Sequence, residues 1–160
     1  MTDEFNHFDT DTHWYINGPN SNIGPLEWGK LYPNFLASEL ASGPDNKILI
    51  VLKDAMDALQ CIRNKLNMPL FINSAYRTPE HNSNVGGSPT SQHVKGRAFD
   101  IGLTNYSSRL SKMQMYGDAI EDAATEAGFN GIGRYNTFIH IDMRKGEGSY
   151  YWDERDIDYE

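Results

Sequence analysis

The sequence of 160 residues contains a single cysteine, Cys61, so no disulfide can form within the chain. The fold must therefore depend on its apolar core, supplemented at most by a metal ion. No run of about 18 apolar residues is present, which excludes a membrane-spanning helix and predicts no membrane insertion. Because the N-terminus has neither a basic region nor an apolar stretch, we expect no signal peptide.

Basic residues are also scarce, since the chain has 14 lysines and arginines but 22 acidic residues, and its formal net charge is −8. A protein that binds the phosphate backbone of nucleic acids needs a positive surface, so nucleic acid is not an expected partner. The same net charge argues against broad adhesion to anionic membranes. It does not prevent a few basic groups from lying together in a cleft. The length favours one domain, and we expect a monomer.

The chain divides into a weakly patterned start and a regular remainder. Residues 1–43 are predicted to be an irregular segment packed on the core, because they are rich in aromatic residues, with a short helix near residues 36–40. Residues 44–152 are predicted to form the main domain and residues 153–160 an acidic tail. The aromatic cluster at 150–152 is expected to pack on the core as a C-terminal latch rather than to stack on sugars.

Two amphipathic helices are predicted from apolar residues that recur every three or four positions. The first covers residues 45–67, with Asp45 as its N-cap. The second covers residues 108–127, and Gly128 follows where a left-handed C-cap belongs.

Three strands are predicted at residues 70–74, 98–103 and 137–143, the last two with alternating apolar and polar residues. The loop between the first two, residues 78–92, contains at most one helical turn, and a long irregular loop in a small domain is usually functional. The predicted class is α+β, with a small, mostly antiparallel central sheet and the two helices packed against it.

Three polar side chains in this arrangement can converge. His93 leaves the long loop, Asp100 lies on the polar face of one strand, and His140 lies on the polar face of another. If the two strands are neighbours, two imidazoles and one carboxylate form the ligand set of a catalytic zinc site with an open fourth position. From spacing alone, side chains satisfied by ordinary hydrogen bonds remain the favoured alternative.

The motifs resemble a known family. Ser-Ala-Tyr-Arg-Thr-Pro at residues 74–79, Ser-x-His-x-x-Gly-x-Ala-x-Asp at 91–100 and His-x-Asp at 140–142 are similar to the zinc D-alanyl-D-alanine carboxypeptidase family. The family includes VanX- and VanY-like D,D-peptidases and phage endolysins that cut L-alanyl-D-glutamate bonds. It shares its site architecture with lysostaphin-like enzymes and the hedgehog signalling domain. The resemblance covers roughly residues 45–152.

The resemblance implies one zinc ion bound by His93, Asp100 and His140. It also implies that Arg77 binds the substrate and polarises the scissile carbonyl, a role that suits a rigid, permanently charged fork of donors. Tyr135 borders the last strand and could line the substrate groove. The nearby glycines 131 and 133 could line the groove too, but we favour a flexible turn.

One feature departs from the family pattern. Many members carry a Glu or Asp as general base three residues before the last zinc histidine, but Thr137 occupies that position here. Asp142, two residues after the histidine and on the same strand face, could take the proton from water or could orient the histidine or Arg144. Glu80 and His81, in the long loop, are weaker candidates for acid or base.

The resemblance therefore implies a zinc metallopeptidase that hydrolyses the stem peptide of bacterial peptidoglycan. We expect a phage or prophage endolysin-type endopeptidase rather than a D,D-carboxypeptidase. It would be made in the host cytoplasm and act on the cell wall after release or as part of a virion. The alternative, which Thr137 favours, is a non-catalytic zinc-containing binding or assembly module, such as a virion structural component. No role is assigned to His7 or His13.

Overall fold

The computed structural model describes residues 9–18, 20–42 and 48–156, which contain five helices and seven strands. In chain order these are β1 (His13–Ile16), α1 (Pro25–Leu31), α2 (Ala37–Leu40), β2 (Leu49–Leu52), α3 (Lys53–Leu66), β3 (Phe71–Ser74), α4 (Pro79–Asn84), β4 (Ala98–Gly102), α5 (Leu110–Ala127), β5 (Gly131–Arg134), β6 (Phe138–Asp142) and β7 (Tyr150–Asp153). None of the helices among these residues is long and apolar enough to cross a lipid bilayer.

Five strands form the central sheet, in the order β3-β4-β6-β5-β7. Neighbouring strands are antiparallel except β5 and β7, which run parallel. β1 and β2 form a separate antiparallel pair. The predicted α+β class with a mostly antiparallel central sheet is confirmed.

The two central strands place their apolar residues on the core side. Phe99 and Ile101 of β4 and Ile139 and Ile141 of β6 are fully buried. α5 packs against β6, and α3 packs against α5. Each apolar side chain buried in this way stabilises the fold by about 1.5–3 kcal/mol. Because side chains alternate along a strand, burial of these residues turns the polar positions of β4 and β6 to the opposite face.

The predicted helix over residues 45–67 is wrong in its first part. Residues 49–52 form β2, and the helix begins only at Lys53. All four residues of β2 are buried, and β1 supplies their backbone hydrogen-bond partners. Periodicity does not distinguish a short apolar run in a strand from a buried helical turn. The proposed cap, Asp45, lies outside the described residues.

The N-terminal segment is more regular than predicted. The short helix expected near residues 36–40 is present as α2, but β1 and α1 were not predicted. The aromatic side chains of Trp28, Tyr32 and Phe35 are buried in the core cluster. His7 lies outside the described residues.

The remaining elements lie close to their predicted positions. α5 ends at Ala127, and the φ of 104° at Gly128 is the predicted left-handed C-cap conformation. The helical turn in the long loop is α4, and Thr78 caps it by accepting a hydrogen bond from the backbone of His81. The aromatic cluster at 150–152 belongs to a fifth strand of the sheet, β7, which pairs with β5. Its predicted packing on the core is wrong for Tyr150 and Tyr151, which are exposed, because backbone pairing rather than apolar burial holds this strand. Of the predicted acidic tail, residues 157–160 lie outside the described residues.

Candidate metal centre

The register of the central sheet places Asp100 beside His140. The two residues are directly opposite each other in the antiparallel pair β4–β6. Opposed residues in such a pair have Cβ atoms about 4.5–5.5 Å apart. Nδ1 of His140 lies 2.9 Å from Oδ1 of Asp100, so the strand pairing itself brings these two side chains together.

His93 reaches the same point from the turn before β4. Its ring is buried, and Nδ1 lies 2.7 Å from the carbonyl oxygen of Ala75. A carbonyl oxygen can only accept, so Nδ1 carries the proton and Nε2 of the neutral ring keeps its lone pair. Nε2 lies 3.2 Å from Oδ2 of Asp100.

His140 lies between two carboxylates. Its Nε2 is 2.7 Å from Oδ2 of Asp142, on the ring edge away from Asp100. Burial disfavours the charged imidazolium, but the hydrogen bonds to Asp100 and Asp142 outweigh burial and raise the pKa of His140. Burial also disfavours the Asp100 carboxylate, yet its hydrogen bonds to His140 and His93 hold the pKa of Asp100 below its ordinary range. Asp100 is therefore an ionised oxygen donor.

This donor set fits a zinc ion. One ligand atom from each of His93, Asp100 and His140 lies within 4.8 Å of the others. Nδ1 of His93 is hydrogen-bonded to Ala75, and Nε2 of His140 is hydrogen-bonded to Asp142. The other ring nitrogens, Nε2 of His93 and Nδ1 of His140, both face Asp100. Two imidazole nitrogens and one carboxylate, with space left for a further ligand, are the protein ligands of many catalytic zinc sites. The three side chains therefore converge, as predicted for the case in which the two strands are neighbours.

Asp142 is fully buried and both of its oxygens are engaged. Arg144 donates from Nε to Oδ1 at 2.9 Å and from a terminal nitrogen to Oδ2 at 2.7 Å. Burial would raise the pKa of Asp142, but the hydrogen bonds from Arg144 and His140 lower it to about 2. This geometry favours the alternative in which Asp142 orients His140, because a carboxylate held on the far ring edge is poorly placed to take a proton from water at the metal.

A surface cavity of about 480 Å³ lies over the three residues, and we call it the metal-site cavity. Of the other predicted site residues, Arg77 and Tyr135 line it. Thr137 and the two weaker candidates for acid or base, Glu80 and His81, are not among its lining residues. Nδ1 of His81 instead lies 2.9 Å from the hydroxyl of Ser42.

Arg77 is held at the edge of the metal-site cavity. Its Nε donates to the hydroxyl of Ser74 at 3.1 Å and one terminal nitrogen donates to Oδ1 of Asn82 at 3.3 Å. The other terminal nitrogen lies 3.6 Å from Oδ2 of Asp100. The guanidinium therefore faces the candidate metal ligands, and two polar neighbours fix its orientation.

Tyr135 and Trp152 form the opposite wall. Nε1 of Trp152 donates to the hydroxyl of Tyr135 at 2.8 Å. The Tyr135 ring stacks on the ring of Phe138, with 4.2 Å between the ring centroids. The turn that we favoured for Gly131 and Gly133 is wrong, because both glycines lie within β5. A side chain at position 133 would collide with the indole of Trp152.

Sequence analysis missed Asn82 and named Arg144 only as a group that Asp142 could orient. Asn82, which is 2% exposed, supports Arg77 and also donates to the carbonyl of Ser88 at 2.8 Å. Arg144 lines the metal-site cavity and fixes Asp142. A buried asparagine in the short helix α4 and an arginine after a strand give no periodic signal, so only the tertiary contacts reveal their roles.

An α+β fold that brings two histidines and an aspartate to the wall of a surface cavity has the ligand set of a metal-dependent hydrolase. The sequence profile of the peptidase M15 family matches residues 34–142, more than half of the chain, and the protein therefore belongs to this zinc-dependent family. This confirms the resemblance to the zinc D-alanyl-D-alanine carboxypeptidases. The search of curated proteins gave no match.

Proposed function

We propose that the protein is a zinc metallopeptidase that hydrolyses a peptide bond in the stem peptide of bacterial peptidoglycan. The observation that carries this proposal is the convergence of His93, Asp100 and His140 on one wall of the metal-site cavity. Membership of the peptidase M15 family supports the same reaction class. These three residues would hold one zinc ion.

When bound, a zinc ion would supply a Lewis acid that activates water and polarises a peptide carbonyl. Arg77 donates to the oxygen of that carbonyl as negative charge develops, because its fork is charged and already oriented. The hydroxyl of Tyr135 accepts from Trp152, which leaves its own proton to donate to the substrate. Both donors are thus preorganised on walls of the cavity.

Asp142 acts through His140 rather than on the substrate. It fixes Nε2 of His140, so that Nδ1 faces Asp100, and Arg144 in turn fixes Asp142. A carboxylate partner of this kind sets the orientation of a ligating histidine and raises its basicity. Asp142 is therefore a positioning residue.

The finer assignment is an endolysin-type endopeptidase in which residues 44–152 form the peptidase domain. It acts as a monomer on the cell wall, after release from the host cytoplasm or as part of a virion. The motif resemblance to lysins supports this assignment. The metal-site cavity lies on the surface, which suits a bond inside a cross-linked polymer.

A second candidate is a non-catalytic zinc-containing binding or assembly module. The observation that favours it is the lining of the metal-site cavity, in which Asp100 is the sole carboxylate among the described residues. With Thr137 in place of the usual acid and Asp142 engaged by Arg144, no second carboxylate in that lining is placed to take a proton from water.

Metal analysis combined with digestion of purified peptidoglycan tests both candidates. The hydrolase predicts one zinc per chain, new peptide termini detected by mass spectrometry, and loss of cleavage after chelation with recovery on adding zinc. His93→Ala should abolish zinc binding and cleavage, whereas His81→Ala, outside the metal-site cavity, should leave both intact. Zinc without cleavage would favour the binding module, and absence of stoichiometric zinc would contradict both.

A further inference from the structure

A second cavity, of about 600 Å³, lies beside the metal-site cavity, and we call it the basic cavity. Its lining includes four cationic side chains, those of Lys95, Arg97, Arg144 and Lys145, and one carboxylate, that of Asp9. This concentration of positive charge stands out in a chain of net charge −8.

Strand pairing brings the four cations together. β4 begins at Ala98 opposite Asp142, the last residue of β6, so the residues just before β4 meet those just after β6. The backbone N–H of Met143 donates to the carbonyl of Arg97 at 3.0 Å, and the Arg97 guanidinium donates to the carbonyl of Met143 at 2.8 Å. Lys95 lies two residues before Arg97 and Lys145 lies two residues after Met143, so both lysines lie near this junction.

The two arginines are engaged, but the two lysines are not. Arg97 donates to a backbone carbonyl, and Arg144 is paired with Asp142. Across residues 9–18, 20–42 and 48–156, neither Lys95 nor Lys145 enters an ion pair, and both are exposed. Four cationic groups against the one carboxylate of Asp9 give this lining a net positive charge that attracts an anion, and the exposure of both lysines limits the strength of that attraction.

The wall that carries Lys95 is fixed before any ligand arrives. Gly96 has φ of +69°, and a Cβ there would lie 2.5 Å from the carbonyl oxygen of Ile50. The backbone N–H of Leu52 also donates to the carbonyl of Gly96 at 2.8 Å. Because the turn is packed closely on β2, ligand binding carries no entropy cost for ordering that backbone.

The basic cavity adjoins the metal-site cavity. Gln92, the neighbour of His93, and Arg144, the partner of Asp142, line both. A peptide whose scissile bond lies at the metal centre could therefore extend into the basic cavity, and the charge there selects an anionic group on that peptide.

We propose that the basic cavity is a subsite for a free carboxylate of the peptide substrate, on one side of the scissile bond. The inference rests on the proposed function, since a peptidoglycan stem peptide is acidic and carries a free carboxylate on its D-glutamate. Lys95 and Lys145 supply the pairing charge, while the two arginines shape the wall.

Binding measurements on two forms of one ligand test the subsite. The probe is a stem tetrapeptide with free carboxylates, compared by calorimetry with the same peptide after its side-branch carboxylates have been converted to amides. The zinc-loaded protein should prefer the free form by about tenfold, as expected for a charged hydrogen-bonded pair. In the double variant Lys95→Gln/Lys145→Gln this preference should fall to about one.

The matched control is Lys30→Gln/Lys112→Gln, which removes the same net charge from two exposed lysines that line neither cavity. It should keep the tenfold preference. Equal loss in both double variants would show a general charge effect and overturn the subsite, as would equal binding of the two peptides by the unmodified protein. Binding of poly(glycerol phosphate) that requires both cavity lysines, without any preference among the peptides, would replace the proposal with a site for phosphate polymers.

This outcome is separable from the proposed hydrolysis. Zinc-dependent cleavage of peptidoglycan without a carboxylate preference would overturn the subsite alone. A lysine-dependent preference without cleavage would support the subsite and contradict the hydrolase.

Discussion

The carboxylate of Asp142 occupies the space that a side chain at position 131 would need. Gly131 and Asp142 are directly opposite each other on β5 and β6, and a Cβ on Gly131 would lie 2.2 Å from Oδ1 of Asp142. Asp142 in turn holds His140 at 2.7 Å. Position 131 must therefore lack a side chain if Asp142 is to hold His140, the candidate metal ligand on β6, in the observed geometry.

Gly131→Ala should destabilise the protein and weaken metal binding together. The added methyl group must displace Asp142 or separate two paired strands, and such overpacking costs about 1–3 kcal/mol of unfolding free energy. Thermal unfolding and zinc titration measure the two effects. Gly29→Ala is the control, because it lies within α1 with nothing within 4 Å of its added Cβ. It should be neutral or stabilising, and equal losses in both variants would refute the argument.

Asp142→Asn should lower zinc affinity about 10- to 100-fold, as expected when the partner of a ligating histidine is removed. The amide cannot replace the charge that supports His140 and pairs with Arg144. Zinc titration of the folded variant measures the affinity, and peptidoglycan cleavage should recover at saturating zinc. Unchanged affinity with a large loss of kcat would instead identify Asp142 as the general base.

Arg77→Lys should reduce kcat about 10²- to 10³-fold without removing zinc. A lysine keeps the charge, but it lacks the fork that contacts Ser74 and Asn82 and lies beside Asp100. Steady-state kinetics on a soluble stem peptide, together with metal analysis, measure the effect. Arg109→Lys, at an exposed position outside the metal-site cavity, should behave as the unmodified protein does. A normal kcat in Arg77→Lys would remove this residue from the mechanism.

Acidification should destabilise the fold through His13. Burial, assisted by the positive charge of Arg97, lowers the pKa of His13 from 6.5 to about 4. Between these values the unfolded chain binds a proton that the folded chain does not, so stability falls as the pH falls from 6.5 towards 4. From pH 7 to pH 5 this amounts to about 2 kcal/mol.

Urea unfolding of the protein and of His13→Gln at both pH values measures this contribution. The glutamine variant should lose about 2 kcal/mol less than the unmodified protein over this interval, because it cannot bind the proton. Parallel losses in the two proteins would show that His13 does not account for the acid sensitivity.

Local pattern was sufficient for the elements that surround the site. Apolar residues alternate with Asp100 and His140, which predicted two strands and the face on which their polar side chains lie, but not that these strands are neighbours. The three-to-four periodicity before Gly128 fixed the longest helix. These features depend on the geometry of one chain segment, so the sequence specifies them directly.

Long-range pairing decided what the sequence left open. β2 is a strand because β1 supplies its backbone partners, and β7 joins the sheet in parallel through contacts with β5. The same sequence determined which residue types could bind a metal ion. Only the strand register and the packing of the turn at Gly96 decided that Asp142 is buried against Arg144 and that the cations meet in the basic cavity. The physical reason is that register and burial are set jointly by segments far apart in the chain, which no local period encodes.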